Sequence, residues 1–426
     1  MLENIKYFFK KKNNQKGKVV LTVAATFPSL IQPWLVNQLT QIVINGGENK
    51  IVARRSELGV YDSNIDKYGL FKNYRIVPED KLTLVLTQLC FLLTPNSLYK
   101  FLKGLPKYFD LLRSSNFTLK EKFHAFFLIP YMGLDYVDII HSHSEMAGNK
   151  FMPFIVELGV PFVITFHGLP PIGVNKISDA ERTRYTQQAS IILVNTEFAK
   201  RQYISLGASA DKIKIIPQGL NLDDFPFKHK PFPDDSAVNI LTVGRYHPDK
   251  GQRYAIRAIA NLIQKGMNIK YRLVGNGPDL DGLISLAADL NISDAIEFYS
   301  SVSDEQLQAL YSISHIFVLP SLKAKDGFHE ETQGVVLQEA QASGLITIAT
   351  KVGGIPECLD AGVSGFLVND RSSDEIEDSL TEIISKPDKW VAYQRDGRKW
   401  VEDNYDINVI GKKMDTIYND LLLSSS

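Results

Sequence analysis

Four charged residues in the second half of the chain stand where chemistry could be done. In "VGRYHPDKGQRYAIRAIANL" a strand ends at Gly244, and Arg245 and Lys250 follow in the loop ahead of a helix. A helix N-terminus attracts anions. There a guanidinium would grip a diphosphate bidentately, and an ammonium would act on it as a point charge. The other two are carboxylates in "HEETQGVVLQEAQASG". Residues 334–343 of that stretch read as a helix with Gly344 as its stop, so Glu331 lies ahead of the helix and Glu339 inside it. At a rise of ~1.5 Å per residue the two carboxylates sit roughly 10 Å apart. That spacing suits holding two parts of one extended ligand, not sharing a proton. Gln333 and Gly334, at the helix start, offer free backbone N–H groups as a second anion site.

Other residue types carry less. His167 in "VITFHGLP" stands at a strand terminus with Gly168 opening space beside it, which marks it as an active-site residue. Gly275 and Gly277 in "LVGNGPDL" would let backbone approach a flat ligand closely, although many such turns are only turns. Asp279 and Asp281 have a spacing that could hold a divalent metal, but after Pro278 they read better as caps of the next helix. His141 and His143 share one face of a strand end; zinc would need a third ligand, and packing with hydrogen bonding is the better reading.

Positioning these groups falls to a repeated architecture. Short β-branched runs alternate with helical stretches: "KVVLTVAA", "NKIVAR", "VDIIHSH", "PFVITFHG", "SIILVNT" and "IKIIPQG" in the first half. "NILTVGR", "KYRLVGNG", "AIEFYS", "IFVLPS", "ITIAT" and "GFLV" follow in the second. Runs of this kind are strands of parallel sheets buried on both faces. The stretch 224–236, rich in Pro and Asp, reads as a linker between two doubly wound α/β domains, over 1–225 and 237–426. Such sheets bind ligands at the C-terminal edges of their strands, where most of the polar punctuation falls. Two of them face to face form a cleft.

Composition narrows the class. A chain of 426 residues exceeds one ordinary core, and a net charge of -1 argues against wholesale nucleic-acid binding. Two cysteines, Cys90 and Cys358, are too few for a disulfide framework, so a reducing cytoplasm is the expected compartment. The basic stretch before "VVLTVAATF" is closed by no cleavage site, and Pro28 and Pro33 follow at once. A first strand over 18–25 is expected, not a leader. "LTLVLTQLCFLL" is 12 residues long and too short to span a bilayer.

Together these stretches resemble the family 4 retaining glycosyltransferases of the GT-B fold. "ETQGVVLQE" is similar to that family's E-x7-E motif, "VGRYHPDKG" to its phosphate loop, and "ASGLITIATKVGGIPECLDAGVSGFLV" to the segment that follows the second Glu. The resemblance runs from about Asp138 to Asp370 and is closest to bacterial members that build exopolysaccharide, capsule or lipopolysaccharide. It implies a UDP- or GDP-sugar donor, a glycan or lipid-linked acceptor, retention by front-face attack, and no metal or other cofactor. It also implies roles. Arg245 and Lys250 hold the donor diphosphate beside Gly244, and Gln333, Gly334 and Val335 supply amides to it. Glu339 binds the ribose, Glu331 contacts the donor sugar, and His167 lies near the transferred hexose. The last helix is expected to cross back to the first domain. The rivals are a sugar phosphorylase, usually longer and lysine-linked to pyridoxal phosphate, and a non-catalytic scaffold in a polysaccharide-assembly complex.

Two stretches depart from that pattern. The first strand leads into "AATFPSLIQPWLVNQL", without the glycine-rich loop, and the segment from Phe71 to Phe127 is expected to fall outside the family's pattern. From Lys72 to Lys122 nine Lys or Arg face four acids, a balance of +5. Two readings of the segment stay open: a helical layer with its lysines in water, or peripheral docking on anionic lipid through an interfacial helix.

Overall fold

The computed structural model describes residues 17–29, 33–57, 63–77, 80–93, 95–114, 117–132, 137–143, 145–168, 179–234, 236–323 and 330–424. The basic stretch before Gly17 and the first residue of the quoted carboxylate stretch, His329, lie outside them. So does part of the loop after the first strand.

The first domain holds strands Val19–Thr26 (β1), Glu48–Arg55 (β2), Tyr74–Ile76 (β3), Ile139–Ser142 (β4), Phe162–Phe166 (β5), Ile191–Val194 (β6) and Ile213–Ile215 (β7). Its helices are Pro33–Ile44 (α1), Ser63–Lys67 (α2), Lys81–Leu92 (α3), Pro95–Arg113 (α4), Leu119–Met132 (α5), Glu145–Leu158 (α6), Asp179–Gln188 (α7) and Glu197–Ser205 (α8). The second holds Val238–Val243 (β8), Ile269–Val274 (β9), Ile296–Tyr299 (β10), Ile316–Leu319 (β11), Ile346–Thr350 (β12) and Phe366–Val368 (β13). Between and after these strands come Gln252–Gln264 (α9), Leu280–Asp289 (α10), Asp304–Ile313 (α11), Val335–Ala342 (α12), Ser373–Ile384 (α13), Trp390–Asn404 (α14) and Ile407–Ser424 (α15).

Both sheets are parallel, in the orders β3-β2-β1-β4-β5-β6-β7 and β10-β9-β8-β11-β12-β13. Strands such as FVITF (β5) and ITIAT (β12) are buried along their whole length, because helices cover both faces. Strand order reverses between β1 and β4, and again between β8 and β11. A doubly wound sheet opens its ligand crevice at such a point. The edge strand β3, three residues long, carries too little pattern to be read from sequence, and no strand was expected there.

The first sheet is covered on one face by α6 and α8, with α4 and α5 packed on α6 and α3 on these two, and on the other by α1 and α15. Ile410, Met414, Tyr418 and Leu421 of α15 join Leu35, Val36 and Leu39 of α1 in one apolar cluster with Val20, Ile139 and Val163 of the sheet. Lys18 fastens the crossing helix by donating to Asn419 Oδ1 at 2.6 Å and pairing with Asp415. The chain therefore passes between the domains twice, once in each direction.

Candidate functional site

Each cation sits where its element ends. Arg245 follows Gly244 directly after β8, exposed, and no acid among the described residues pairs with it. Nothing lies within 4 Å of where a Cβ would stand at Gly244, so the loop leaves open space at the end of the strand. Lys250 ends a single 3-10 turn, Pro248–Lys250, that turns the chain into α9. Its ammonium forms an ion pair with Glu331. The two residues, 81 positions apart, were expected at opposite tasks, and nothing in the sequence marks them as neighbours. Together they offer a ligand a cation and a hydrogen-bond acceptor side by side, a match for a phosphate next to a sugar hydroxyl.

Glu331 owes its position to two glycines of the "KVGGIPE" turn. A Cβ at Gly353 would fall 2.2 Å from the carbonyl oxygen of Glu331, and one at Gly354 would fall 2.1 Å from that of Thr332. Gly354 N donates to Glu331 O at 2.8 Å, and Gly353 N to the Glu330 carboxylate at 3.0 Å. The acidic loop is thus seated on bare backbone. Sequence reasoning assigned these glycines no task.

Glu339, inside α12, accepts from the Tyr311 hydroxyl at 2.8 Å. Loss of solvent around the carboxyl pushes it up to about 7; Asp304 pushes the same way, and Tyr311 opposes. A carboxyl poised there gains most from a ligand that donates hydroxyl protons to it.

Three expectations need correction. The amide of Gly334 is not free: it donates to Cys358 Sγ at 3.3 Å, while burial pushes that thiol up to about 12. The open first turn of α12 begins instead at Val335, with Gly334 as the residue before it. The room at Gly275 and Gly277 is filled by the neighbouring loop, since Cβ atoms there would stand 2.0 Å from Gly244 O and 2.3 Å from Tyr246 O. This crossing of backbones requires glycine at both positions. Asp279 occupies the cap position of α10 but makes no cap bond; its carboxylate oxygens each lie 3.2 Å from Arg253. Among the described residues no group of three or more His, Cys, Asp or Glu is placed to hold a metal.

The first domain meets this edge with neutral groups. His167 follows β5 directly, its ring 4.1 Å from that of Trp34 and stacked at 5.8 Å on His143. Burial lowers it to about 3, so it is uncharged at neutral pH. Gln218 Nε2 lies 3.2 Å from its Nδ1. With that amide donating, the ring proton sits on Nε2, which has no partner among the described residues. His141 is satisfied on both sides, by Tyr418 at 2.7 Å and Thr165 at 2.6 Å, in line with a packing role. His143, buried beside it, has neither ring nitrogen bonded among the described residues.

Gln333 joins the two edges. It accepts from Gln218 N at 2.8 Å and returns a bond to Gln218 O at 3.0 Å. Glu357 of the second domain adds bonds from Glu197 N and Phe198 N, at 2.7 and 2.9 Å, at the start of α8. A carboxylate there meets the positive end of the helix.

Residues 224–400 match the family described as "Glycosyl transferases group 1", and residues 98–224 match "Glycosyltransferase Family 4", so the family match takes in residues 98–127 of the segment expected to fall outside it. The chain is 28% identical over 291 residues to a D-inositol 3-phosphate glycosyltransferase of Saccharomonospora viridis, covering 62% of this chain and 66% of that one. It is 26% identical over 235 residues to a GDP-mannose-dependent alpha-(1-6)-phosphatidylinositol monomannoside mannosyltransferase of Mycobacterium tuberculosis, covering 53% and 60%. The matched stretch is thus less than two thirds of either relative. Among solved structures, HepE of Anabaena in complex with UDP superposes with a TM-score of 0.68 at 17% identity, over 95% of this chain and 100% of that one. Sucrose-phosphate synthase from Thermosynechococcus elongatus does so with 0.68 at 17%, over 96% and 100%. At that identity the likeness is one of fold.

Proposed function

Because the chain belongs to the family 4 glycosyltransferases and has the GT-B fold, we propose that it moves a hexose from a nucleotide-sugar to a glycan or lipid-linked acceptor. One observation carries this reading. Arg245 and the Lys250–Glu331 pair stand in the loops that follow β8 and β11, the strands between which the sheet order reverses, and Glu339 lies in the helix that the second of these loops enters. Cations at the diphosphate stabilise the departing nucleotide as its charge develops, the term that usually dominates such catalysis. Glu331 takes the sugar, and Glu339 the ribose. His167 is a neutral N–H donor toward the hexose from the opposite edge. No protein nucleophile is needed for retention by front-face attack, and two cations with a helix N-terminus leave a divalent ion little to neutralise.

Relatives named for inositol phosphate and for a phosphatidylinositol mannoside widen the acceptor class beyond cell-surface polysaccharide. A polyol phosphate or a lipid-borne glycan fits the reading equally. A lipid-borne acceptor would place the protein on the inner face of the membrane; among the described residues no helix is long and apolar enough to cross one. UDP-, GDP- and ADP-sugars screened by thermal shift identify the donor, since a ligand at 100-fold its Kd adds about 2.7 kcal/mol of stability. The same donor should be slowly hydrolysed by the wild type. A protein stabilised by no nucleotide-sugar and hydrolysing none is a scaffold, and the proposal fails.

A further inference from the structure

The helices between β3 and β4 turn an apolar face outward. Leu82, Val85, Leu86 and Leu89 of α3 and Leu93 just past its end are all exposed, at spacings of three, one, three and four residues, so they form one stripe. The inner side of the same helix is anchored by Leu84 in the core. Exposed residues of α4 and α5 add seven more large apolar side chains. Of the 22 large hydrophobics exposed among the described residues, 12 therefore fall within Leu82–Phe123. Soluble surfaces scatter such residues singly, and a concentration of this kind marks a contact surface.

Charge selects the occupant. Residues 81–132 contain seven Lys or Arg (81, 100, 103, 107, 113, 120 and 122) and two acids (110 and 121), a balance of 7 − 2 = +5. The whole chain carries -1, so the remainder carries -6. A second copy docking face to face would set two such basic segments against each other. An anionic bilayer attracts the cations and accepts the leucines. Within α3 the sole formal charge is its first residue, Lys81, so nothing along the stripe resists entry into the acyl boundary. At ~1.5 Å per residue a 12-residue helix reaches about 18 Å, enough to lie in the interface and too short to cross it.

We infer that α3, supported by α4 and α5, is an interfacial membrane anchor for anionic lipid. The anchor rests on the exposed stripe and the local charge. Its use, holding the cleft where a lipid-linked acceptor waits, rests on the function proposed above.

Vesicle co-sedimentation tests it. The wild type should pellet with phosphatidylglycerol-rich vesicles at low salt and be released at high salt. L82Q/L86Q/L89Q should lose at least tenfold in partitioning, while donor hydrolysis and melting temperature hold. Should the triple variant fail to fold, L93Q alone, at the most exposed of the five positions, should still weaken partitioning measurably. A wild type that ignores anionic vesicles at low ionic strength overturns the anchor. So does a wild type that sediments as a dimer which the triple variant dissociates, because the stripe is then covered by a second copy. Vesicle binding without hydrolysis of any nucleotide-sugar keeps the anchor and sinks only the catalytic reading.

Discussion

The two edges that face each other across the cleft are built from opposite materials. The second domain presents ions: Arg245 after β8, Lys250 paired with Glu331, and Glu339 raised to about 7. The first presents rings: Trp34, tilted against the stacked pair His143 and His167, both of them uncharged. An edge of ions suits the part of a reaction that does not vary, a diphosphate leaving group. An edge of neutral rings suits sugars, whose apolar faces and hydroxyls ask for shape and weak polarity. On this proposal the second domain fixes the chemistry, and the first chooses what receives the sugar.

Removing the ions is the strongest way to break the contrast. Arg245→Ala or Lys250→Ala should lower kcat at least tenfold, about 1.4 kcal/mol or more, with an unchanged melting temperature. Lys250→Ala should cost more, because it also leaves Glu331 unpaired. Unaltered turnover in both variants would remove the charged edge from the mechanism.

The neutral edge makes a claim about pH. With His167 held near 3 by burial, its stabilising effect on the fold is complete above 6.5 and is lost as pH falls toward 3. Between about pH 5 and 8 it should therefore contribute no limb to the kcat profile. His167→Ala should reduce kcat by roughly tenfold, about 1.4 kcal/mol, the net worth of one neutral hydrogen bond. A limb near 6.5 that vanishes in this variant would show a charged histidine and end the distinction between the edges.

Glu339 sharpens the other side. Its folded carboxyl keeps its proton up to about 7, against 4.5 in its ordinary state. Its contribution to stability is thus complete below 4.5 and lost as pH rises through 7. A nucleotide whose ribose donates to the carboxylate should bind more tightly as pH rises through 7. Titration calorimetry at pH 6 and 8 should show a gain of up to about tenfold in affinity, absent in Glu339→Gln. The smallest expected effect is that of EDTA, which should leave turnover unchanged. Complete loss restored by manganese would put a metal among the ions of the second domain.

The contrast also explains what could be read in advance. Charged groups at strand ends are visible because type and spacing carry their meaning: Arg245, Lys250 and the pair Glu331 and Glu339 are four letters in a pattern. The helix expected over 334–343 spans Val335–Ala342, and Gly344 has φ +83, as a helix stop requires. Partners distant in sequence were not legible. Lys250 with Glu331, Gln218 with Gln333 and Gly334 with Cys358 are settled by how two sheets and their loops come together. The stripe on α3 was missed for a different reason. The periodicity of "LTLVLTQLCFLL" states which residues share a face without stating whether that face is covered.

The return of α15 to the first domain sets an order of events during synthesis. All seven strands of the first sheet precede β8, so they leave the ribosome before any of the second sheet does. Yet the face of that first sheet holding Val20, Ile139 and Val163 is not closed until Ile410, Met414, Tyr418 and Leu421 emerge. His141 likewise waits for Tyr418 as its hydrogen-bond partner. The second domain, contiguous from β8 through α14, can fold in the interval. The domain begun first is finished last. A nascent chain stalled before Ile407 carries a completed second domain tethered to a first one with an uncovered apolar seam, the surface a chaperone would bind.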